Sequence, residues 1–138
     1  MKVLADTCVW SLSLRRKNKT ALPDDKQRCI DLLTDAIKDG RVVIIGPIRQ
    51  EILSGIKEPS QYDRIRVALS AFQDEQITTK NYEDAARLFN FCRSRGIDCG
   101  PIDMLICAIS FEREWLVLSY DQGLKRCIKE IESIRTDL

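Results

Sequence analysis

The sequence predicts a helix-rich α/β domain, a three-layer α/β/α sandwich with a mostly parallel central sheet. Apolar blocks at residues 2–5, 42–45 and 116–118 show no polar alternation, which is typical of strands covered on both faces. Residues 76–79 are a weaker strand candidate. Longer segments with helical periodicity separate the blocks, and this β–α alternation predicts the layered architecture. The length of 138 residues favours one domain over residues 1–138.

Apolar residues recur at helical spacing in most of the remaining chain. The predicted helices cover residues 25–38, 48–56, 60–72, 82–95, 101–114 and 122–131. Asn81 is the predicted N-cap of the fourth helix and Gly96 its terminator. The fifth is apolar almost all round, which predicts a buried helix. Gly55 lies within the second, where glycine costs about 1 kcal/mol relative to alanine, so we expect a close approach there.

The composition excludes several classes of function. The chain has no histidine, which removes Ser-His-Asp and Cys-His nucleophile systems and histidine-containing zinc sites. The net charge of +1 gives no global attraction to nucleic acid, so phosphate binding would need a local patch or a bound cation. Apolar runs are too short for a signal peptide or a membrane span. We therefore expect a soluble cytoplasmic protein with no membrane association, and its six cysteines to be small buried hydrophobic residues in a reducing compartment.

Two aspartates follow predicted strands. Asp6 ends the first apolar block, and Asp121 lies three residues beyond Leu118. Ligands of open parallel sheets bind beyond the carboxyl ends of the strands, which gives both residues a functional interpretation. Each has an equally good structural interpretation as a helix N-cap.

Asp103 is the only acidic or basic residue between Cys99 and Phe111, within the most apolar segment of the chain. A first-turn acid gains about 0.3–1 kcal/mol from the helix dipole, whereas removing an unpaired carboxylate from water costs several kcal/mol. A metal ion, or a charge from elsewhere in the fold, therefore explains Asp103 better than the dipole alone. Glu51 borders the apolar face of its helix. Taken alone, this position indicates a residue on the solvated flank of the helix.

These acids form one candidate cluster, made of Asp6, Glu51, Asp103 and Asp121. Two carboxylates about 4 Å apart repel by about 4 kcal/mol at a dielectric of ~20, so a cluster needs a cation or shared protons. Mg²⁺ or Mn²⁺ suits it, because these ions take oxygen ligands and keep waters that a phosphate can replace. Such a site can activate a water for attack on a phosphodiester. The topology permits the four acids to converge but does not show that they do.

Four motifs together resemble the PIN-domain nucleases. They are MKVLADT at residues 1–7, IRQEILSGI at 48–56, DMLICA at 103–108 and LSYD at 118–121. They are similar, in order, to the family's opening strand, its conserved glutamate segment, its Asp-x-Leu-Ile-Ala-Ala helix and its terminal Thr-x-Asp motif. The agreement covers essentially the whole chain, whose length suits the VapC-type toxins of toxin–antitoxin pairs.

The resemblance implies an endoribonuclease that depends on Mg²⁺ or Mn²⁺, cleaves RNA, forms a homodimer and is held inactive by a cognate antitoxin. It implies that Asp6 and Asp103 are the main metal ligands. Glu51 and Asp121 would complete the pocket, directly or through water.

Supporting positions and departures follow from the same resemblance. Thr7 and Ser119 match hydroxyls that hydrogen-bond waters or carboxylates. Many relatives have a further aspartate where this chain has Gly123, so a second metal is expected to bind weakly or only with substrate. Cys8 stands where a small hydroxyl residue is common.

A basic segment lies close in sequence to Asp6, before the helix predicted at residues 25–38, and contains Arg15, Arg16, Lys17 and Lys19. Contact with RNA phosphates, which would weaken with salt, and a solvated loop are equally good interpretations of it.

Two other functions remain alternatives. One is a nuclease of the same fold in RNA processing or decay, without an antitoxin. The other is a Mg²⁺-binding phosphoacceptor signalling domain, which would need a lysine at the end of a late strand. It is the weaker alternative, because Leu118 continues into Ser119, Tyr120 and Asp121 instead.

Overall fold

Four strands form one parallel sheet at the centre of the molecule. The computed structural model describes residues 1–15 and 21–135. The strands are β1 (Val3–Ala5), β2 (Val42–Ile45), β3 (Asp74–Glu75) and β4 (Leu116–Leu118), in the order β3-β2-β1-β4. Val3 pairs with Val42 on one side and with Leu116 on the other, so β1 lies inside the sheet and is buried along its length.

The edge strand differs from the prediction. Residues 76–79 are not a strand, and β3 lies two residues earlier, where Ile44 and Ile45 pair with Asp74 and Glu75. An Asp-Glu pair has little intrinsic strand preference. Pairing with β2 therefore decides its conformation, and local hydrophobicity does not.

Helices cover both faces of the sheet. They are α1 (Thr7–Arg15), α2 (Asp24–Lys38), α3 (Gly46–Leu53), α4 (Pro59–Leu69), α5 (Thr79–Ser94), α6 (Pro101–Arg113) and α7 (Gln122–Arg135). α1 packs on α2 and α3, α3 packs on α4, and α5 packs on α6 and α7. Because parallel crossovers are right-handed, the reversal of strand order after β3 places α5 and α6 on the face opposite to α1–α4.

The predicted three-layer, helix-rich α/β class is confirmed. The apolar helix α6 is buried, as predicted, from Met104 to Ser110. No helix among the described residues is long and apolar enough to cross a membrane. That residues 1–138 form a single domain stays a prediction.

Two local predictions were wrong. Thr78, not Asn81, is the N-cap of α5: the Thr78 hydroxyl accepts from the Asn81 N–H (3.2 Å), and the Asn81 side chain accepts from the Thr78 N–H (3.0 Å). Gly55 lies beyond the end of α3 with φ +83°, and an added Cβ would meet no atom of residues 1–15 or 21–135 within 4 Å. Its left-handed backbone explains the glycine, and nothing in the described part of the chain approaches it closely. Gly96 ends α5 with φ +72°, as predicted.

The cysteines are not all free. Cys99 and Cys127 form a disulfide, with their Cα atoms 6.9 Å apart across a sequence separation of 28 residues. Folding of the α5–α6 loop against α7 brings them together, and no local pattern marks that pairing. Cys8, Cys29, Cys92 and Cys107 are free thiols. The expectation of six unpaired cysteines is therefore wrong for two of them.

Candidate functional site

The site lies where the order of the strands reverses. The chain leaves β1 toward β2 on one side and returns as β4 on the other side of β1. In open α/β sheets, the crevice beyond the strand ends at such a point is the usual ligand site. Asp6 follows β1 directly, and its N–H donates to the Leu118 carbonyl at the end of β4 (2.8 Å). The two strands therefore deliver the residues that follow them to one place.

Asp6 is buried, with 8% of its surface exposed, and its carboxylate accepts hydrogen bonds from three donors. Its Oδ1 accepts from the Thr7 N–H (2.8 Å). Its Oδ2 accepts from the Ser119 hydroxyl (3.0 Å) and from the Cys8 thiol (3.6 Å). The backbone carbonyl of Asp6 begins α1 by accepting from the Val9 N–H (3.1 Å). Hydrogen bonds of this kind offset the cost of burying a carboxylate.

Ser119 joins the two acids at the strand ends. Its hydroxyl donates to Asp6 and accepts from the Asp121 N–H (3.0 Å). The Asp121 Oδ2 accepts from the Leu124 N–H (3.1 Å), so the N-cap interpretation is correct for Asp121. Asp121 also lines the cleft described below, so capping does not remove it from the site.

Glu51 reaches the site from the next connection along the sheet. α3 begins immediately after β2, the neighbour of β1, and carries Glu51 on its second turn. The Thr7 hydroxyl donates to the Glu51 Oε1 (3.0 Å). The side chain of Glu51 is exposed, in contrast to that of Asp6.

Asp103 lies in the first turn of α6 and is half-buried. Its Oδ2 accepts from the Gly100 N–H (3.3 Å), which closes the first turn of the helix. Burial raises the pKa of Asp103, and this hydrogen bond acts against that rise. Repulsion by the other three acids of the cluster raises the pKa further.

All four predicted acids line one open cleft of ≈ 670 Å³. Its lining consists of Asp6, Thr7, Cys8, Lys26, Glu51, Asp103, Tyr120, Asp121 and Gln122. Within residues 1–15 and 21–135, none of the ion pairs involves these four acids. A set of carboxylate and hydroxyl oxygens without compensating ion pairs fits a hard divalent cation such as Mg²⁺ or Mn²⁺.

Lys26 and Tyr120 are parts of the cleft that sequence reasoning missed. The Lys26 Nζ lies 5.1 Å from the centroid of the Tyr120 ring, and the Tyr120 hydroxyl donates to the Cys8 carbonyl (3.1 Å). Tyr120 lies between Ser119 and Asp121 in the sequence, and this position could have predicted that it lines the cleft. Lys26 comes from α2 and reaches the cleft only through helix packing, so no sequence pattern marks it.

Cys8 takes over the hydrogen bonding expected of a small hydroxyl residue. Its sulfur lies 3.6 Å from the Asp6 Oδ2 and 3.6 Å from the Ser119 hydroxyl. Burial raises the pKa of Cys8, so the thiol stays protonated and can donate a hydrogen bond to the Asp6 carboxylate.

The basic segment is described only in part. Arg15 is the exposed last residue of α1. Arg16, Lys17 and Lys19 lie outside the described residues. The contact of this segment with RNA stays a prediction.

Comparison with known proteins bears on the fold. No family model matches the chain, and no curated protein matches it. Among solved structures, one chain of the "Crystal structure of VapBC2 from Rickettsia felis bound to a DNA fragment from their promoter" is similar, with a TM-score of 0.65 over 91% of this chain and 92% of that chain. The two chains share a fold. Their sequences are 16% identical, so the likeness supports the PIN-like architecture and leaves activity to the site itself.

Proposed function

We propose that this protein is a metal-dependent endoribonuclease and the toxin of a toxin–antitoxin pair. The observation that carries the proposal is the convergence of Asp6, Glu51, Asp103 and Asp121 on one cleft at the strand-order reversal. The four acids come from four separate segments and form no ion pairs among the described residues, and their mutual repulsion raises the pKa of Asp103, which a bound cation would offset.

The residues of the cleft have three proposed roles: metal binding, orientation of the metal ligands and contact with RNA phosphate. Asp6 and Asp103 are the proposed main ligands of Mg²⁺ or Mn²⁺, and Glu51 and Asp121 complete the set. When bound, the cation supplies Lewis acidity toward the RNA phosphodiester and lowers the pKa of water at the site. Ser119 and Cys8 orient the Asp6 carboxylate, and Thr7 orients Glu51. Lys26 offers a positive charge at the cleft to an RNA phosphate.

The test is cleavage of a structured RNA by purified, partner-free protein in Mg²⁺, in Mn²⁺ and in EDTA. We expect cleavage that requires the metal and that Asp103→Asn abolishes. Asp63→Asn is the matched control, because Asp63 is an exposed α4 acid paired with Arg66 and lies outside the cleft. Cleavage in EDTA, or no cleavage under any condition, would contradict the proposal.

Metal binding is measured separately, so that failure to find the right RNA does not decide the question. Mn²⁺ should raise the melting temperature of the wild-type protein and of Asp63→Asn, because a ligand that binds only the folded state stabilises it. The same Mn²⁺ concentration should shift Asp103→Asn much less.

The toxin role rests on the fold shared with a chain of the VapBC2 complex. An antitoxin partner and a homodimer are therefore proposals for this chain. Co-expression with the product of a short gene found immediately upstream should give a stable complex that inhibits cleavage, and light scattering should give the mass of a dimer. The absence of a gene for such a partner next to that of an RNA-cleaving protein would favour the RNA-processing alternative.

A further inference from the structure

A second cluster of side chains lies away from the acidic cleft. Cys92 in the last turn of α5, Cys99 in the α5–α6 loop and Cys127 in α7 have sulfur atoms that all lie within 4.8 Å of one another. All three side chains are buried. Three separate segments of the chain therefore bring three sulfurs together.

The disulfide between Cys99 and Cys127 accounts for only two of these sulfurs. Cys92 is 1% exposed and lies beside the disulfide as a free thiol. A structural disulfide needs no third sulfur, whereas a soft or borderline metal ion uses three or four. The third sulfur is the observation that needs an explanation.

We propose that Cys92, Cys99 and Cys127, in their reduced form, bind one Zn²⁺ ion. With Zn–S bonds of about 2.3 Å, sulfurs that share a tetrahedral zinc lie about 3.8 Å apart, which fits a cluster within 4.8 Å. The disulfide is the oxidised alternative of the same site. A dithiol reductant passes two electrons and two protons to the S–S bond and itself becomes a disulfide, which leaves three thiols for the metal.

A cleft reaches one member of the cluster. It has a volume of ≈ 280 Å³ and is lined in part by Arg93, Asp98 and Cys99, so a cation or a water molecule can approach from the Cys99 side. Three thiolates and Zn²⁺ carry a net charge of −1, and the charged side chains that line the cleft are Arg93 and Asp98, of opposite sign.

The site would also fix the start of α6. Cys99 directly precedes Gly100, whose N–H donates to the Asp103 carboxylate. A metal that joins Cys99 to α5 and α7 would therefore restrain the loop that positions Asp103. The proposal itself does not depend on nuclease activity.

The first test is metal binding by the whole reduced protein. After reduction and removal of excess reductant, we expect about one Zn²⁺ per chain by mass spectrometry of the metal. Co²⁺ should give the absorption bands of tetrahedral thiolate coordination. Cys92→Ser should lose these bands, and Cys29→Ser should keep them, because Cys29 is a buried cysteine of α2 outside the cluster.

Two further measurements separate this site from the acidic cleft. Asp103→Asn should keep the thiolate–Co²⁺ bands, because its side chain belongs to the other site. Zn²⁺ should raise the melting temperature of the reduced wild-type protein by several degrees and that of Cys92→Ser by much less. If the reduced wild-type protein shows no thiolate–Co²⁺ bands, or if Cys92→Ser shows them at full strength, the proposal is wrong. Cys92 is then a buried thiol beside a disulfide.

Discussion

Ser119→Ala tests how one hydroxyl holds the two acids at the strand ends. Ser119 is 6% exposed, and its hydroxyl donates to Asp6 and accepts from the Asp121 N–H, both at 3.0 Å. A hydrogen bond to a charged group contributes about 1.5–3 kcal/mol and one between neutral groups about 0.5–1.5 kcal/mol. Asp6 keeps its bonds from Thr7 and Cys8. We therefore expect the free energy of unfolding to fall by roughly 2–4 kcal/mol.

Ser110→Ala is the matched control for this substitution. Ser110 is equally buried, at 1% exposure, but its hydroxyl has no hydrogen-bond partner among the described residues. Removal of an unsatisfied buried hydroxyl costs no hydrogen bond, so we expect neutral or raised stability. The two variants delete the same atom from two buried sites that differ in hydrogen bonding.

The assay is urea unfolding of both variants in EDTA, which keeps bound metal out of the measurement. Ser119→Ala should lower the midpoint without changing the slope of the transition. In the nuclease assay it should lower activity roughly 10–100-fold, the usual effect of losing a residue that orients a metal ligand. A loss below about 0.5 kcal/mol for Ser119→Ala, or an equal loss in Ser110→Ala, would refute the assigned role of the hydroxyl.

Three further predictions follow from named contacts. In EDTA at neutral pH, Asp103→Asn should be as stable as the wild-type protein or more stable, since burial raises the folded-state pKa of Asp103 and ionisation then costs stability. The stability difference between Asp103→Asn and the wild-type protein should develop as the pH rises from the unfolded carboxyl pKa of about 3.9 through the raised folded-state pKa. If melting curves show that the variant is less stable at neutral pH, Asp103 has a structural role instead. Lys26→Gln should raise the KM for RNA and reduce its salt dependence with little change in stability, whereas an unchanged salt slope would remove Lys26 from the RNA contacts. Arg49→Lys should lower the free energy of unfolding by about 2–4 kcal/mol, because a lysine ammonium cannot hydrogen-bond Asp74 and the carbonyls of Leu69 and Phe72 at the same time. Denaturant titration measures this loss, and unchanged stability would contradict the prediction.

Part of the site could be predicted because local signals suffice for it. An apolar block that ends in an acid places that acid beyond the end of a strand, and parallel strands bring such ends to one edge of a sheet. This reasoning located Asp6 and Asp121 at neighbouring strand ends. Asp103 was likewise marked as the only acid between Cys99 and Phe111, in the most apolar segment of the chain. Glu51 had no equally strong local signal, and only the resemblance pointed to it.

By itself, the sequence determined the alternation of strands and helices, the burial of α6 and the order of the four acids along the chain. These properties depend on periodicity and on neighbouring residues. The tertiary structure decided what depends on distant partners. It placed β3 at Asp74–Glu75 through pairing with β2, and it brought Lys26 to the acidic cleft. It also gathered Cys92, Cys99 and Cys127 at one point. The physical reason is that long-range packing sets these contacts, and the residues that make them carry no mark of their partners.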